Sequence, residues 1–149
     1  MARADRIYAD PSALLKLYVY EPESAALNAW RRRTRGALPL TSHGHLEIVN
    51  GISLASFRHA ISADAMADAL ASLQEDLLEG RYADADVPWR ATLRRAQEIS
   101  RVHTPSLGCR TLDVLHVAAA LELELPYFGT FDQRQQRLAR AVGLKLVRF

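Results

Sequence analysis

"SLGCRTLDVLHVAAALELELPYFGTFD", running from Ser106 to Asp132, carries the pattern that decides the fold. From Leu112 to Leu121 nearly every residue is apolar or small, which predicts a helix buried on most of its sides. "PYFGTF", Pro126 to Phe131, then reads as a short strand. Helices buried this way, alternating with short strands, imply a mostly parallel sheet covered on both faces. Two polar residues interrupt the helix. Asp113 and His116 lie three apart and therefore on one face. An unpartnered buried carboxylate is costly, so Asp113 needs a partner.

The same alternation continues on both sides. "RIYAD" (Arg6 to Asp10) predicts a first strand, and Pro11 suits the first turn of a helix through "SALLKLYVY". "SAALNAWRRRTRG" predicts a second helix, ended by Gly36. "ALPLTS" is a second strand despite Pro39, and Thr41 or Ser42 can cap a helix reaching about Arg58. "SADAMADALASLQEDLLEG" is amphipathic, with Met66, Leu70, Leu73 and Leu77 on one side and Gly80 stopping it. "YADADVPW" is a weak third strand. A helix from Trp89 to about Val102 follows, then a polar turn, "HTPSLG", with Thr111 a candidate cap for the buried helix. After the fourth strand, "QRQQRLARAVG" reads as a helix ending in Gly143 and "LKLVRF" as a last strand. Together these predict a three-layer α/β/α fold with four to five short strands. No repeat, linker or low-complexity tract divides the chain, so residues 1–149 read as a single domain.

Composition narrows the function. With 49% hydrophobic residues in 149, the chain can bury a real core. A single cysteine, Cys109, excludes an internal disulfide. The start, "MARADRIYAD", lacks the apolar run of a signal peptide, and no stretch is long and apolar enough to span a membrane. A cytoplasmic protein is expected. Net charge is only +2, and its cations are almost all arginine. "WRRRTR", Trp30 to Arg35, is the one dense cluster. It suits phosphates, but a solvated helix C-terminus accounts for it equally well.

Four acids then fall on the predicted map. Asp10 ends the first strand and Asp132 follows the fourth, so in a parallel sheet both belong at the edge formed by strand C-termini. Asp113 sits in the first turn of the buried helix. Each has a structural alternative. Asp132 with Gln135 has capping-box spacing, and taken alone reads better as a cap. Asp10 could cap and Asp113 could complement a helix dipole. Glu47 in "TSHGHLEIVNGIS" lies past the first turn, where no capping role explains it, on a face shared with His43, Gly44, Asn50 and Gly51. Its helix follows the second strand, so Glu47 can reach the same edge.

Two carboxylates ~4 Å apart repel by about 4 kcal/mol at an effective dielectric of ~20. A divalent cation would relieve several such pairs, and an all-oxygen set suits Mg²⁺ or Mn²⁺ rather than zinc. A shared cation is then the expected partner of Asp113. His43 and His45 resemble a metal-ligand run, but alternate residues diverge on a helix. His116 is expected to be a packed, hydrogen-bonded core histidine.

"YADPSALLKLYVYEPES", "TSHGHLEIVNGI", "RTLDVLHVAAALELE" and "YFGTFDQRQQRLARAVGLKLV" together resemble the PIN-domain ribonucleases, and among them the VapC-type toxins of toxin–antitoxin pairs. The resemblance runs from Ile7 to Val147. It implies that Asp10, Glu47, Asp113 and Asp132 are the family's catalytic, metal-binding quartet. It places Ser12 and Thr130 where the family often has a hydroxyl beside the acids, and Arg110 just ahead of the third acid. It further implies Mg²⁺-dependent hydrolysis of RNA phosphodiester bonds, a homodimer, and a small antitoxin whose C-terminal segment covers the site. Two other classes share part of the pattern. One is a non-catalytic partner-binding or DNA-binding component, the other a receiver-like signalling module. Neither accounts for Glu47, and Lys145 stands at the wrong end of the last strand for a receiver's lysine.

Overall fold

In a computed structural model describing residues 1–149, the chain begins with β1 (Ile7–Ala9), α1 (Pro11–Leu14), α2 (Ser24–Arg33), β2 (Leu38–Thr41), α3 (Ser42–Phe57) and α4 (Ala63–Leu78). It continues with β3 (Tyr82–Ala85), α5 (Trp89–Leu107), α6 (Thr111–Glu122), β4 (Tyr127–Gly129), α7 (Gln133–Ala141) and β5 (Lys145–Leu146). β4 pairs in parallel with both β1 and β5, and β2 pairs in parallel with β3. β1 lies beside β2 without a hydrogen-bonded ladder, so the strand layer splits into sheets of three and two strands.

The two-residue period of a strand sorts the core into two halves. Ile7 and Ala9 of β1 pack with Leu14, Leu27, Ile48 and Leu73, on the face covered by α1 to α4. Tyr8 points the other way, toward Val117, Phe128 and Leu138, on the face covered by α5 to α7. This is the expected three-layer α/β/α arrangement. Within it α6 is the most enclosed helix, with Val117 through Ala120 fully buried. Its first turn is not: Leu112 is 53% exposed, and burial begins at Val114.

Several boundaries differ from expectation for local reasons. The helix after Pro11 stops at Leu14 and closes as a 3₁₀ turn at Leu15–Leu17, instead of running to Tyr20. The Ser24 hydroxyl donates to the Lys16 carbonyl at 2.7 Å and accepts from the Glu21 amide at 2.9 Å, turning the chain into α2. The predicted turn "HTPSLG" is helical instead. α5 runs through Pro105 and ends at Gly108, whose φ of 64° supplies the left-handed cap. The proline removes one amide donor, but Leu107 beyond it still packs on the α6 core. Arg110, not Thr111, occupies the N-cap of α6, without a side-chain bond. The last strand shrinks to two residues, and Phe149 turns back over Gly129 and against Trp30 and Phe131. "WRRRTR" is not a free phosphate patch throughout. Arg31 is buried and donates to the carbonyls of Thr34, Gly36 and Arg81.

The starts of α1 and α3 meet at one point. Thr41 caps α3 by accepting from the Gly44 amide at 3.0 Å. A Cβ at Gly44 would lie 2.9 Å from Thr41 Oγ1 and 3.1 Å from Pro11 Cγ. Both neighbours are held rigidly. Gly44→Ala is therefore expected to lower stability by about 1–3 kcal/mol, although alanine is the better helix former. Urea unfolding checks this, and an unchanged or raised midpoint would show that the contact is looser than described.

Candidate active site

Asp10 leaves β1 with its amide donating to the Gly129 carbonyl at 2.8 Å, which ties it to the end of β4. It then caps α1: the Ser12 amide and the Ser12 hydroxyl both donate to Oδ2, the amide at 3.0 Å. Its other oxygen, Oδ1, accepts from Gln135 Nε2 of α7 at 2.8 Å. Asp10 is only 3% exposed, so three donors offset the cost of burying it.

Glu47 projects from α3 toward α6. His116 Nε2 lies 2.9 Å from Glu47 Oε2, and His116 Nδ1 lies 2.7 Å from the Tyr8 hydroxyl. A carboxylate only accepts, so Nε2 carries a proton and Glu47 is oriented by a donor from the buried helix. Burial opposes charging of His116. The hydrogen bond to Glu47, with the charges of Asp10, Glu47 and Asp113, nonetheless holds its pKa above the ordinary histidine value. Burial raises the pKa of the Tyr8 phenol, which stays protonated. Glu47 Oε1 is buried and has no hydrogen-bond partner, and the same holds for both His43 nitrogens and Gln135 Oε1 nearby.

Asp113 finds a protein partner. Arg110 Nε reaches Asp113 Oδ2 at 3.3 Å, and its Nη2 stands 3.9 Å from Asp132 Oδ2. The guanidinium side is 77% exposed, so these pairs add little stability. Asp132 caps α7 as its spacing suggested, accepting from the Gln135 amide at 2.9 Å. The box is not reciprocal, because the Gln135 side chain turns to Asp10 instead.

Three of the four acids, Asp10, Glu47 and Asp113, line one open cavity of about 490 Å³ together with Ser12, Arg110 and His116. Asp132 lies outside it, in an adjoining cavity that Arg110 also lines. No three His, Cys, Asp or Glu side chains form a ready metal cage. The close carboxylate cluster expected from the sequence is therefore opened out, with Ser12, Gln135, Arg110 and His116 each satisfying an acid. The donor set still fits a hard cation: it is all oxygen, the cavity is open, and Glu47 Oε1 is a dry oxygen with no donor. Thr130 lines neither cavity. It is buried, and its hydroxyl accepts from the Asp132 amide at 3.1 Å, so it positions that residue and does not face a ligand.

Tyr8 and Gln135 were not singled out from sequence as parts of a site, and His43 was weighed only as half of a metal-ligand run with His45. Gln135 carried a signal, the D-x-x-Q spacing, but that spacing assigns its side chain to the wrong acid. His43 stacks on His116, with ring centroids 4.8 Å apart and planes 13° apart, and meets Trp89 edge-on. Neither histidine pair converges on a zinc site.

The PIN domain family model matches residues 7–141. The chain belongs to the PIN domain family. It is 30% identical over 143 residues to Ribonuclease VapC46 of Mycobacterium tuberculosis, covering 95% of each chain. Its fold also resembles the solved structure of FitAcB from Neisseria gonorrhoeae, with a TM-score of 0.67 over 95% of this chain and 96% of that one, at 17% identity. Asp10 directly follows β1 and Asp132 lies just past β4, so both stand at the edge formed by strand C-termini. Lys145 starts β5 opposite Tyr127, the first residue of β4, and so stands at the far edge.

The stacked histidines give a pH signature. Burial, then the neighbouring His116, lowers the His43 pKa from 6.5 to about 4. Between those values the unfolded chain takes up a proton that the folded chain refuses, so stability falls with pH. His116, raised above 6.5, contributes stability that is complete below 6.5 and is lost as pH rises through its folded value. His43→Phe, which keeps a ring in the stack, is expected to lose less stability than wild type between pH 6.5 and about 4. Its alkaline limb should be unchanged. Denaturant titrations across pH check this, and parallel acid limbs would contradict it.

Proposed function

We propose that the chain is a cytoplasmic, divalent-metal-dependent endoribonuclease acting as the toxin of a toxin–antitoxin pair. One observation carries the proposal: Glu47 Oε1 is buried without a donor beside Asp10 and Asp113 in an open, acid-lined cavity. Leaving such an oxygen unsatisfied costs about 1–3 kcal/mol or more. A chain retaining that arrangement is well suited to a cation. The similarity to a VapC ribonuclease supports RNA as the substrate.

Glu47 and Asp113 would hold Mg²⁺, or Mn²⁺ in its place, with Asp10 fixed beside them by Ser12 and Gln135 and Asp132 contributing from the adjoining cavity. When bound, the cation supplies Lewis acidity at neutral pH and neutralises phosphate charge. His116 keeps Glu47 Oε2 engaged and so leaves Oε1 without a hydrogen-bond partner. Arg110, exposed beside Asp113, would have a guanidinium free to bind a phosphate oxygen once Asp113 held a cation. The side chains present favour attack by water. The Ser12 hydroxyl gives its hydrogen to Asp10, and the Cys109 thiol is buried, with its pKa raised by burial and by Asp113. A protein partner and a homodimer, which the family resemblance implies, have surface available: Leu46, Phe57 and Leu78 are apolar and exposed on α3 and α4. No helix is long and apolar enough to cross a membrane.

Asp113→Asn tests the assignment. It keeps the side-chain shape and removes a first-turn charge and an exposed ion pair. Metal-free stability should therefore change by no more than about 1 kcal/mol. RNA cleavage in Mg²⁺ should collapse, because a neutral amide holds the cation poorly. Unfolding without metal and cleavage with it are measured on the same preparation. A destabilised but fully active variant would sink the proposal.

A further inference from the structure

The acid-lined cavity poses an electrostatic difficulty for a ribonuclease. Asp10, Glu47 and Asp113 face only one arginine there, so the cavity attracts a cation and repels the substrate's own charge. Something beside it must draw the RNA. The adjoining cavity, about 460 Å³, has the opposite character: Arg110, Arg134 and Arg137 line it with Asp132 and Gln133, and no apolar residue takes part. Arg110 lines both cavities, so its side chain stands at the boundary between them.

Arg134 and Arg137 are not placed there for the sake of the helix. They lie three apart, and thus on one face of α7, where like charges cost a few tenths of a kcal/mol. Arg134 is the second residue of α7, at the positive end of the helix dipole, where a cation is unfavourable. Both are exposed. The ion pairs of the chain involve Arg3, Lys16, Arg81, Arg95, Arg110 and His116, and neither Arg134 nor Arg137. Two unpaired guanidinium groups, held together against local electrostatics, fit an anion between them. Forked guanidinium donors match phosphate oxygens in particular.

Resting on the ribonuclease reading above, we infer that the Arg110–Arg134–Arg137 cavity is a phosphate subsite. It holds a backbone phosphate of single-stranded RNA flanking the bond that is cut at the acidic cavity. An acidic protein segment is the competing occupant. The absence of any apolar lining favours RNA, since a protein segment normally anchors through a buried apolar or aromatic side chain. The subsite binds the substrate without touching the reacting atoms.

The test is the double variant Arg134→Gln/Arg137→Gln, with Arg32→Gln/Arg33→Gln on α2 as a control that removes the same charge elsewhere. Binding of a short fluorescein-labelled single-stranded oligoribonucleotide is followed by anisotropy in EDTA over a series of salt concentrations. Cleavage of the same RNA is followed in Mg²⁺. The double variant should bind at least about tenfold more weakly. Its slope of log K against log salt should shrink by about 0.7, the value for one lost single-strand phosphate contact. Its KM should rise by more than its kcat falls, with an unchanged melting temperature, and the control should match wild type in every readout. Wild-type affinity and slope in the double variant would overturn the subsite and leave the arginines to an acidic protein partner. An equal loss in the control would overturn it too, showing only general attraction. Wild type that binds but does not cleave RNA in Mg²⁺ would defeat the ribonuclease reading instead. The binding arm would still decide the subsite.

Discussion

The contact between His116 and Glu47 joins the two faces of the molecule, and the arrangement of the acidic cavity depends on it. His116 belongs to α6, the helix sealed beneath one face of the sheet, and Glu47 to α3 on the other. Tyr8, on the central strand β1, holds the far side of the imidazole. The three residues are thus a hydrogen-bonded strut passing the end of the sheet, with His43 stacked against its middle. Removing one member would leave buried polar atoms unpaired at about 1–3 kcal/mol each, a sizeable share of a domain's roughly 5–15 kcal/mol. The strut satisfies one oxygen of Glu47 and leaves the other bare. A chain selected for stability alone would have little reason to keep that oxygen dry.

Charge around the site is segregated in the same sense. Asp10, Glu47 and Asp113 line one cavity, and Arg134 and Arg137 of α7 line the next with Asp132, with Arg110 in the lining of both. Without a cation, Arg110 spans Asp113 and Asp132 as an exposed counter-charge. Such an exposed pair adds little stability and is free to rearrange.

Much of this was legible in the amino-acid order because the determinants are local. Thr41, one of the two caps read for it, caps α3, and the apolar run around Ala118–Ala120 does form an enclosed helix. Parallel pairing of β1 with β4 follows from the alternation of elements, and it brings Asp10 to the end of β4. What was not legible depended on contacts between distant residues. Pro105 and the polar residues around it read as a turn, yet packing of Leu107 on α6 keeps the helix going. Gln135 reads as the partner of Asp132, three residues away, but bonds to Asp10, 125 residues away. Asp132 lines the neighbouring cavity because its cap bond to Gln135 and the contact with Arg110 hold it at the start of α7. The role of Tyr8 could not be read at all, since only the folded sheet brings its hydroxyl to His116.

The central claim is that Asp10, Glu47 and Asp113 together accept a divalent cation. An anomalous difference map from a crystal of this chain soaked in Mn²⁺ tests it most directly. A peak in the cavity, within ligand distance of Glu47 Oε1 and Asp113 and with Arg110 turned away from Asp113, is the expected result. Full Mn²⁺ occupancy at other surface carboxylates, with that cavity empty and Arg110 still on Asp113, would contradict it.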